Sequence, residues 1–196
     1  MKEYYDRRAP EYDDWWLGHG LFADRERPGW ESELAEVAAF LGSLAPVRTL
    51  DIACGTGFIT RHLPGDVVGL DQSASMIEIA RRRLPEAEIV VGDALALPFS
   101  DASFQRVHAS FFYCHLEGPE RLRFLDEARR VGHELIVFGS HAQPDEPLER
   151  WEERVLTDGS RWPVFKRVFE PEELAAELDG QVLHVGHWFV VVRATQ

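Results

Sequence analysis

The chain predicts an α/β fold: a doubly wound, seven-stranded, mostly parallel sheet with helices on both faces and one antiparallel strand near the C-terminus. Three observations lead there. Between residues 45 and 140, short β-rich runs alternate with helical patterns; a glycine-containing turn follows the first run; and two strand-like runs close the chain. Strands that alternate with helices build βαβ units, whose strands lie parallel and whose crossovers are right-handed.

In order, VRTLDIA (47–53) is the first strand, and a helix is expected over 57–63, after the glycines. DVVGLD (66–71) is the second strand. SASMIEIARRRL (73–84) reads as a helix with Ser73 at its N-cap, where a hydroxyl oxygen satisfies a free amide of the first turn. Its apolar Met76, Ile77, Ala80 and Leu84 share one face, and Pro85 ends it. AEIVVGD (87–93) is the third strand, and the fourth begins at 103 within SFQRVHASFFYCHL. PERLRFLDEARRV (119–131) is amphipathic, with Leu122, Leu125, Ala128 and Val131 on one side, and HELIVFGS (133–140) is the fifth strand. A helix is expected around 147–156. Another runs from Pro171 to Leu178, with proline and acids in its first turn as helix N-termini prefer. QVLHVGHWFVVVRA (181–194) reads as two strands joined at Gly186 and His187, and so tight a connection makes one of them antiparallel.

Composition narrows the function. With 45% hydrophobic and 28% charged residues the chain has the make-up of a globular domain. Its formal net charge of −13 argues against a nucleic-acid partner, because polyphosphate binding needs a basic footprint. No run approaches the roughly 18–20 uncharged apolar residues of a membrane span, and the charged opening MKEYYDRRAPEYDDWW has no signal-peptide core. The expectation is a cytoplasmic protein without membrane association. Cys54 and Cys114 have no partner at metal-ligand spacing, and His184 and His187 lie i, i+3 on strand-like residues; no metal site and no disulfide are expected.

The turn in TLDIACGTGFIT (49–60) carries the chemistry. In an open α/β sheet, ligands sit beyond the carboxyl ends of the strands, where the winding reverses. Gly55 and Gly57 allow the backbone close to a ligand, and a following helix would point free amides at it. A dinucleotide fingerprint fails, because the third glycine position is Thr60 and because Asp51 would face a pyrophosphate. A phosphate-binding loop ending in Lys-Ser/Thr is absent. A cationic cofactor without phosphates suits the turn better.

LDIACGTG resembles the first motif of the class I S-adenosylmethionine-dependent methyltransferases, which have a Rossmann-like fold, and three further stretches match that family in order. VVGLDQSASMIEIA resembles the second motif, which implies that Asp71, beside Gln72, holds ribose hydroxyls. VVGDALALPFSDASF resembles the third, which implies that Asp93 and the Ala94 backbone meet an adenine. FQRVHASFFYCHL resembles the fourth, which implies that Ser110 lies near the methionine part of the cofactor. The resemblance covers about 45–140, and YYDRRAPEYDDWW is similar to the opening of a subgroup acting on quinones and other small molecules. One departure is Gln105, where the family commonly has an acid before the fourth strand.

The expected cofactor is therefore S-adenosyl-L-methionine, held by Asp51, Ala53, Gly55, Thr56, Gly57, Asp71, Gln72, Met76, Asp93, Ala94 and Ser110. The chemistry agrees: Asp71 lies twenty residues after Asp51, at the end of the second strand, where a carboxylate accepts two bonds from a diol. Asp51, or backbone near Ala53, would face the ammonium, and Met76 and Leu95 would sandwich the ring. The expected organisation is one domain: a helical lid and substrate segment over 1–43, a cofactor-binding core over 45–140, a substrate-side insertion over 141–180 and terminal strands over 181–196.

Methyl transfer from a sulfonium is a displacement with an activated leaving group, so alignment of the acceptor supplies much of the catalysis and a general base is needed only for a protonated acceptor. His115 is the candidate base. A small-molecule acceptor is expected, since SFFYCH does not carry the Asn/Asp-Pro-Pro-aromatic loop of base-amino methyltransferases. Tyr5, Tyr12, Trp15, Trp16 and Tyr113 are the candidate acceptor contacts, although rings of this kind also pack helices onto sheets. Two alternatives remain open at this point: a protein that binds the cofactor without methyl transfer, and an enzyme using a related sulfonium or nucleotide-derived cofactor on the same fold.

Overall fold

A computed structural model describes residues 1–195. The chain opens with three helices, α1 (Lys2–Arg8), α2 (Asp14–Leu17) and α3 (Trp30–Gly42), and then enters the sheet with β1 (Thr49–Ile52), β2 (Val67–Asp71), α4 (Ala74–Arg83), β3 (Glu88–Val91), β4 (Phe104–Ser110), α5 (Gly118–Val131) and β5 (Gly132–Ser140). It finishes with β6 (Glu149–Val155), β7 (Arg161–Arg167), α6 (Pro171–Leu178), β8 (Gln181–Val185) and β9 (Phe189–Thr195).

Seven strands form one sheet in the order β3-β2-β1-β4-β5-β9-β8. The first five strands are parallel, and β9 runs antiparallel to both β5 and β8. The winding reverses between β1 and β4, which pair with Asp51 opposite His108. Every residue of β1 and β2 is buried, as a parallel sheet covered on both faces requires. Helix α4 packs on β2 and β3, α5 on β4 and β5, and α6 on β8 and β9. Ser73 caps α4 as expected, its hydroxyl accepting from the Met76 amide at 3.2 Å.

Three expectations are corrected. No α-helix follows the glycine turn; residues 57–63 form tight turns and a single 3₁₀ turn at Thr60–His62. Gly57 has φ +76°, and the Thr60 hydroxyl donates to the Asp51 carboxylate at 2.5 Å, so the segment is tied to β1 before a helix can start. The expected helix at 147–156 is instead strand β6 of a two-stranded ribbon with β7. Glu and Arg favour helices, but here Arg150, Glu152 and Arg154 alternate with the exposed Trp151 and Val155, and Asp158-Gly159 turns the chain, with Gly159 at φ +81°. Finally, Leu122 is exposed, and the buried face of α5 is Phe124, Leu125, Ala128 and Val131.

The N-terminal helices lie across the carboxyl ends of the strands. Asp6 accepts from the Ser73 hydroxyl at 2.6 Å, and Asp13 accepts from the Thr56 hydroxyl at 2.6 Å and from Arg83 Nη2 at 2.5 Å. Tyr4 packs with Leu156 and Val164 of the ribbon region. These contacts close a roof over the switch point of the sheet.

Candidate active site

The site is built where β1, β2 and β4 end. At two of those ends the chain leaves the strand through a non-glycine residue in the left-handed region, Ala53 (φ +55°) and Phe111 (φ +53°). Such conformations cost about 1–3 kcal/mol each and persist where surrounding structure holds them. Here the Cys54 amide donates to the Leu70 carbonyl at 3.0 Å and the Phe111 amide to the Phe138 carbonyl at 2.8 Å, fixing both turns to neighbouring strands. Gly55 follows at φ +55°, and a Cβ on it would lie 3.7 Å from the Tyr12 ring, between two walls of an open cleft.

Asp71 organises this cleft. One carboxylate oxygen accepts from the Gly55 amide at 3.0 Å and the other from the Ser73 amide at 2.8 Å, so the side chain couples the loop after β1 to the start of α4. Burial pushes its carboxyl up to about 6, against the lowering effect of those two amide bonds. No cation pairs with it among the described residues, and each oxygen keeps a further lone pair for an O–H donor.

The cleft encloses about 870 Å³ of unfilled space, part of it open to solvent. Of the residues expected to bind a cofactor, Ala53, Gly55, Asp71, Gln72, Met76, Asp93, Ala94 and Ser110 line it, as does Leu95. Met76 is fully buried on one wall, and Asp93 accepts from the Leu95 amide at 2.9 Å, which orders the loop carrying the opposite wall. Tyr5, Tyr12 and His115 also line it.

Several expected residues lie elsewhere. Asp51 is fully buried behind the loop; its carboxylate accepts from His108 Nδ1 at 2.7 Å and from Thr60, so it does not face the cleft. Thr56 and Gly57 are also outside it, Thr56 turned to Asp13 and Gly57 against Leu84. Trp16 stacks on Phe58 with ring centroids 5.2 Å apart and belongs to the core. The buried Tyr113 donates its hydroxyl to Glu177 at 2.6 Å, away from the cleft. Trp15 lines a second, smaller chamber rather than the cleft. For Asp51, Thr56, Trp16 and Tyr113 a polar or aromatic side chain found a partner within the fold, which its position in sequence did not reveal.

Sequence reasoning missed Phe111, Phe112, Leu116 and Glu120, all of which line the cleft. Their signal was present: Phe111 and Phe112 follow Ser110 directly, Leu116 closes the short turn that carries His115, and Glu120 stands in the first turn of α5.

The second chamber adjoins the cleft, and Tyr5, Tyr12, Phe111 and His115 line both. His115 Nδ1 lies 2.7 Å from the Phe165 carbonyl and donates to it, which leaves the Nε2 lone pair as the acceptor. Burial holds the ring down to about 4, helped by Lys166, Arg154 and Arg8, so the imidazole is neutral at pH 7.

Comparison with known proteins agrees with this geometry. Residues 49–134 match the family model described as a methyltransferase domain. A demethylmenaquinone methyltransferase of Thermotoga maritima is 35% identical over 132 residues, covering 65% of this chain and 54% of that protein. One from Lactiplantibacillus plantarum is 32% identical over 159 residues, covering 74% and 63%. The matched segments thus span between about half and two thirds of these relatives' length. Among solved structures, DhpI in complex with SAH superposes with a TM-score of 0.74 at 24% identity, over 97% of this chain and 92% of that one. A methyltransferase from Thermotoga maritima, titled a possible histamine N-methyltransferase, superposes with a TM-score of 0.68 at 24% identity, over 100% and 99%. Among the described residues no helix is long and apolar enough to cross a membrane. Residues 49–134 thus match a methyltransferase domain, and the chain carries the fold of the class I S-adenosylmethionine-dependent methyltransferases.

Proposed function

We propose that the chain transfers a methyl group from S-adenosylmethionine to a small-molecule acceptor. The observation that carries this reading is Asp71: a carboxylate without a counter-cation, at the end of β2, lining a cleft that Met76 and Leu95 also line. A carboxylate acceptor beside two apolar side chains suits a ribose diol and a flat purine, and Gly55 leaves room where a side chain would intrude. When bound, the sulfonium supplies an activated methyl group, and the displacement converts it to a thioether while the acceptor gains the methyl.

The chain's own residues bind, orient and exclude water. Asp71 and the Asp93 loop hold one end of the cofactor, and Ser110 and the Ala53 turn stand at the other. Tyr5, Tyr12 and His115 form the boundary between cleft and chamber, and the acceptor would meet the methyl there. His115, fixed by Phe165, offers Nε2 as a hydrogen-bond acceptor that orients an N–H or O–H of the acceptor. With the ring held to about 4, its first role is positioning rather than proton removal. The names of the quinone-methylating relatives support a flat acceptor, and the aromatic boundary is compatible with one.

Calorimetry with S-adenosylmethionine and S-adenosylhomocysteine tests the cleft. Micromolar binding to the wild type with marked weakening in Asp71→Ala is expected; no binding at millimolar ligand would sink the reading.

A further inference from the structure

The smaller chamber is lined by Tyr4, Tyr5, Tyr12 and Trp15, and by three cations, Arg8, Arg154 and Lys166. No carboxylate lines it among the described residues. This contrasts with a chain whose formal charge is −13. Arg154 is paired with Glu152. The buried Arg8 and the partly buried Lys166 form no ion pair among the described residues, Glu152 acting on Lys166 only from beyond ion-pair distance, although a buried cation ordinarily has a partner.

Arg8 is the more telling of the two. It is 8% exposed, its Nη1 donates to the Tyr4 hydroxyl, and its guanidinium lies over the rings of Tyr4, Tyr12 and Phe22 at 5.4–5.7 Å. Its Nε is buried without any hydrogen-bond partner. A buried charged donor without a partner destabilises the fold, and a ligand oxyanion would relieve that cost. Arg8, Trp15, Arg154 and Lys166 also line an adjoining open surface groove, where Glu146, Glu152 and Glu153 add carboxylates that the chamber itself lacks.

We infer that the methyl acceptor is anionic: a small, partly flat molecule whose carboxylate or phosphoryl group is seated between Arg8 and Lys166, with Arg154 at the rim, while its reactive end reaches past His115 into the cleft. The inference rests on the methyltransferase reading of the cleft. It goes beyond that reading by assigning the acceptor's charge, and it sets this chain apart from a site for a neutral quinone. Trp15 and Tyr12 supply the faces for the flat part, and the two unpaired cations anchor the acid.

The test uses the full chain, with and without saturating S-adenosylhomocysteine, titrated calorimetrically with benzoate, inorganic phosphate and the neutral isostere benzamide. Benzoate or phosphate is expected to bind at least about tenfold tighter than benzamide, and Lys166→Met to lose about tenfold or more of that affinity. Which of the two anions binds separates a carboxylate from a phosphoryl acceptor. Arg8→Met is the stronger variant but is buried among aromatic rings, so Lys166→Met decides if Arg8→Met does not fold. Equal binding of benzoate and benzamide, no binding of either anion at tens of millimolar, or unchanged anion affinity in Lys166→Met overturns the inference while leaving the cofactor reading intact. Failure of S-adenosylhomocysteine to bind overturns the cofactor reading, and the acceptor assignment falls with it even if anions bind the chamber.

Discussion

In the cofactor half of the site, Asp71 is tied to the amides of Gly55 and Ser73, 16 and 2 residues away in sequence. In the acceptor half, His115 is tied to Phe165 across 50 residues, and the Thr157 amide to Glu11 across 146. The first half is made from successive strand ends of one sheet, with its polar groups satisfied by local backbone. The second is assembled from the two flanks of the chain, meeting over the sheet, and leaves Arg8 without a partner at Nε. A binding site for one shared cofactor can be written into short motifs. A site that selects an acceptor depends on how distant segments pack.

The sharpest way to break the cofactor half alone is Gly55→Val. The residue sits at φ +55° and a β-branched side chain would both strain the turn and fill the cleft beside Tyr12. Cofactor binding is expected to fall more than about 100-fold, equivalent to roughly 2.7 kcal/mol or more. Circular dichroism should keep its native shape, and an unchanged cofactor Kd would contradict the placement of the cleft.

Asp71→Asn comes next, with an expected loss of about 1.5–3 kcal/mol in cofactor affinity. Its pH signature is specific. The folded carboxyl titrates near 6, above the roughly 3.9 of an unfolded aspartate. Stability contributed by the protonated group is therefore lost as pH rises from about 4 through about 6, while cofactor affinity increases as pH rises through about 6 and the folded Asp71 carboxyl ionises. His115 runs the other way: its folded value is near 4 against about 6.5 unfolded, so its contribution to stability is lost as pH falls through that window. Calorimetric Kd values and thermal melts between pH 4 and 7 should lose the Asp71 component in Asp71→Asn and keep the His115 one.

The contrast also explains what could be read from the residues. The succession of strands and helices and the mostly parallel sheet were legible because β-rich runs, helical periodicity and turn residues are local signals, and Asp71 was legible because it closes the strand that follows the glycine turn. Asp51 looked equivalent, yet the register of β1 with β4 sets it opposite His108, and only that pairing shows it faces inward. Trp15 and Trp16 are adjacent in sequence and meet edge to face at 4.6 Å, yet only Trp15 lines the chamber while Trp16 is buried in the core. Short, irregular helices give no periodicity from which to choose. Strand β6 was hidden because its less exposed residues, Arg150, Glu152 and Arg154, are charged and pair with each other rather than with a core. The cation chamber was invisible for the same reason: Arg8, Arg154 and Lys166 come from opposite ends of the chain.

His115→Ala probes the boundary between the halves. Loss of the fixed Nε2 acceptor is expected to lower kcat/KM for the acceptor about tenfold, the low end for a proton-handling or orienting side chain, because the neutral ring is a weak base. The Kd for S-adenosylhomocysteine should move less than about twofold. A large loss of cofactor affinity instead would mean that the two halves are not energetically separate.

The smallest effect is expected where the halves are joined by the roof. Asp13 holds Thr56 at 2.6 Å and Arg83 at 2.5 Å, with both ion-pair partners about three-quarters buried. Asp13→Ala should cost about 1 kcal/mol of stability, more than a fully exposed pair and less than a buried one. Because the contact lies on the cofactor side of the N-terminal segment, loosening it should raise the S-adenosylhomocysteine Kd a few-fold while leaving anion binding in the chamber unchanged. Amide exchange would follow the same line: faster at Thr56 and Gly57, and unaltered at Thr157, whose amide is held by Glu11 on the acceptor side. If exchange accelerates at both places together, the N-terminal segment moves as one rigid lid, and acceptor and cofactor affinities are then coupled through it.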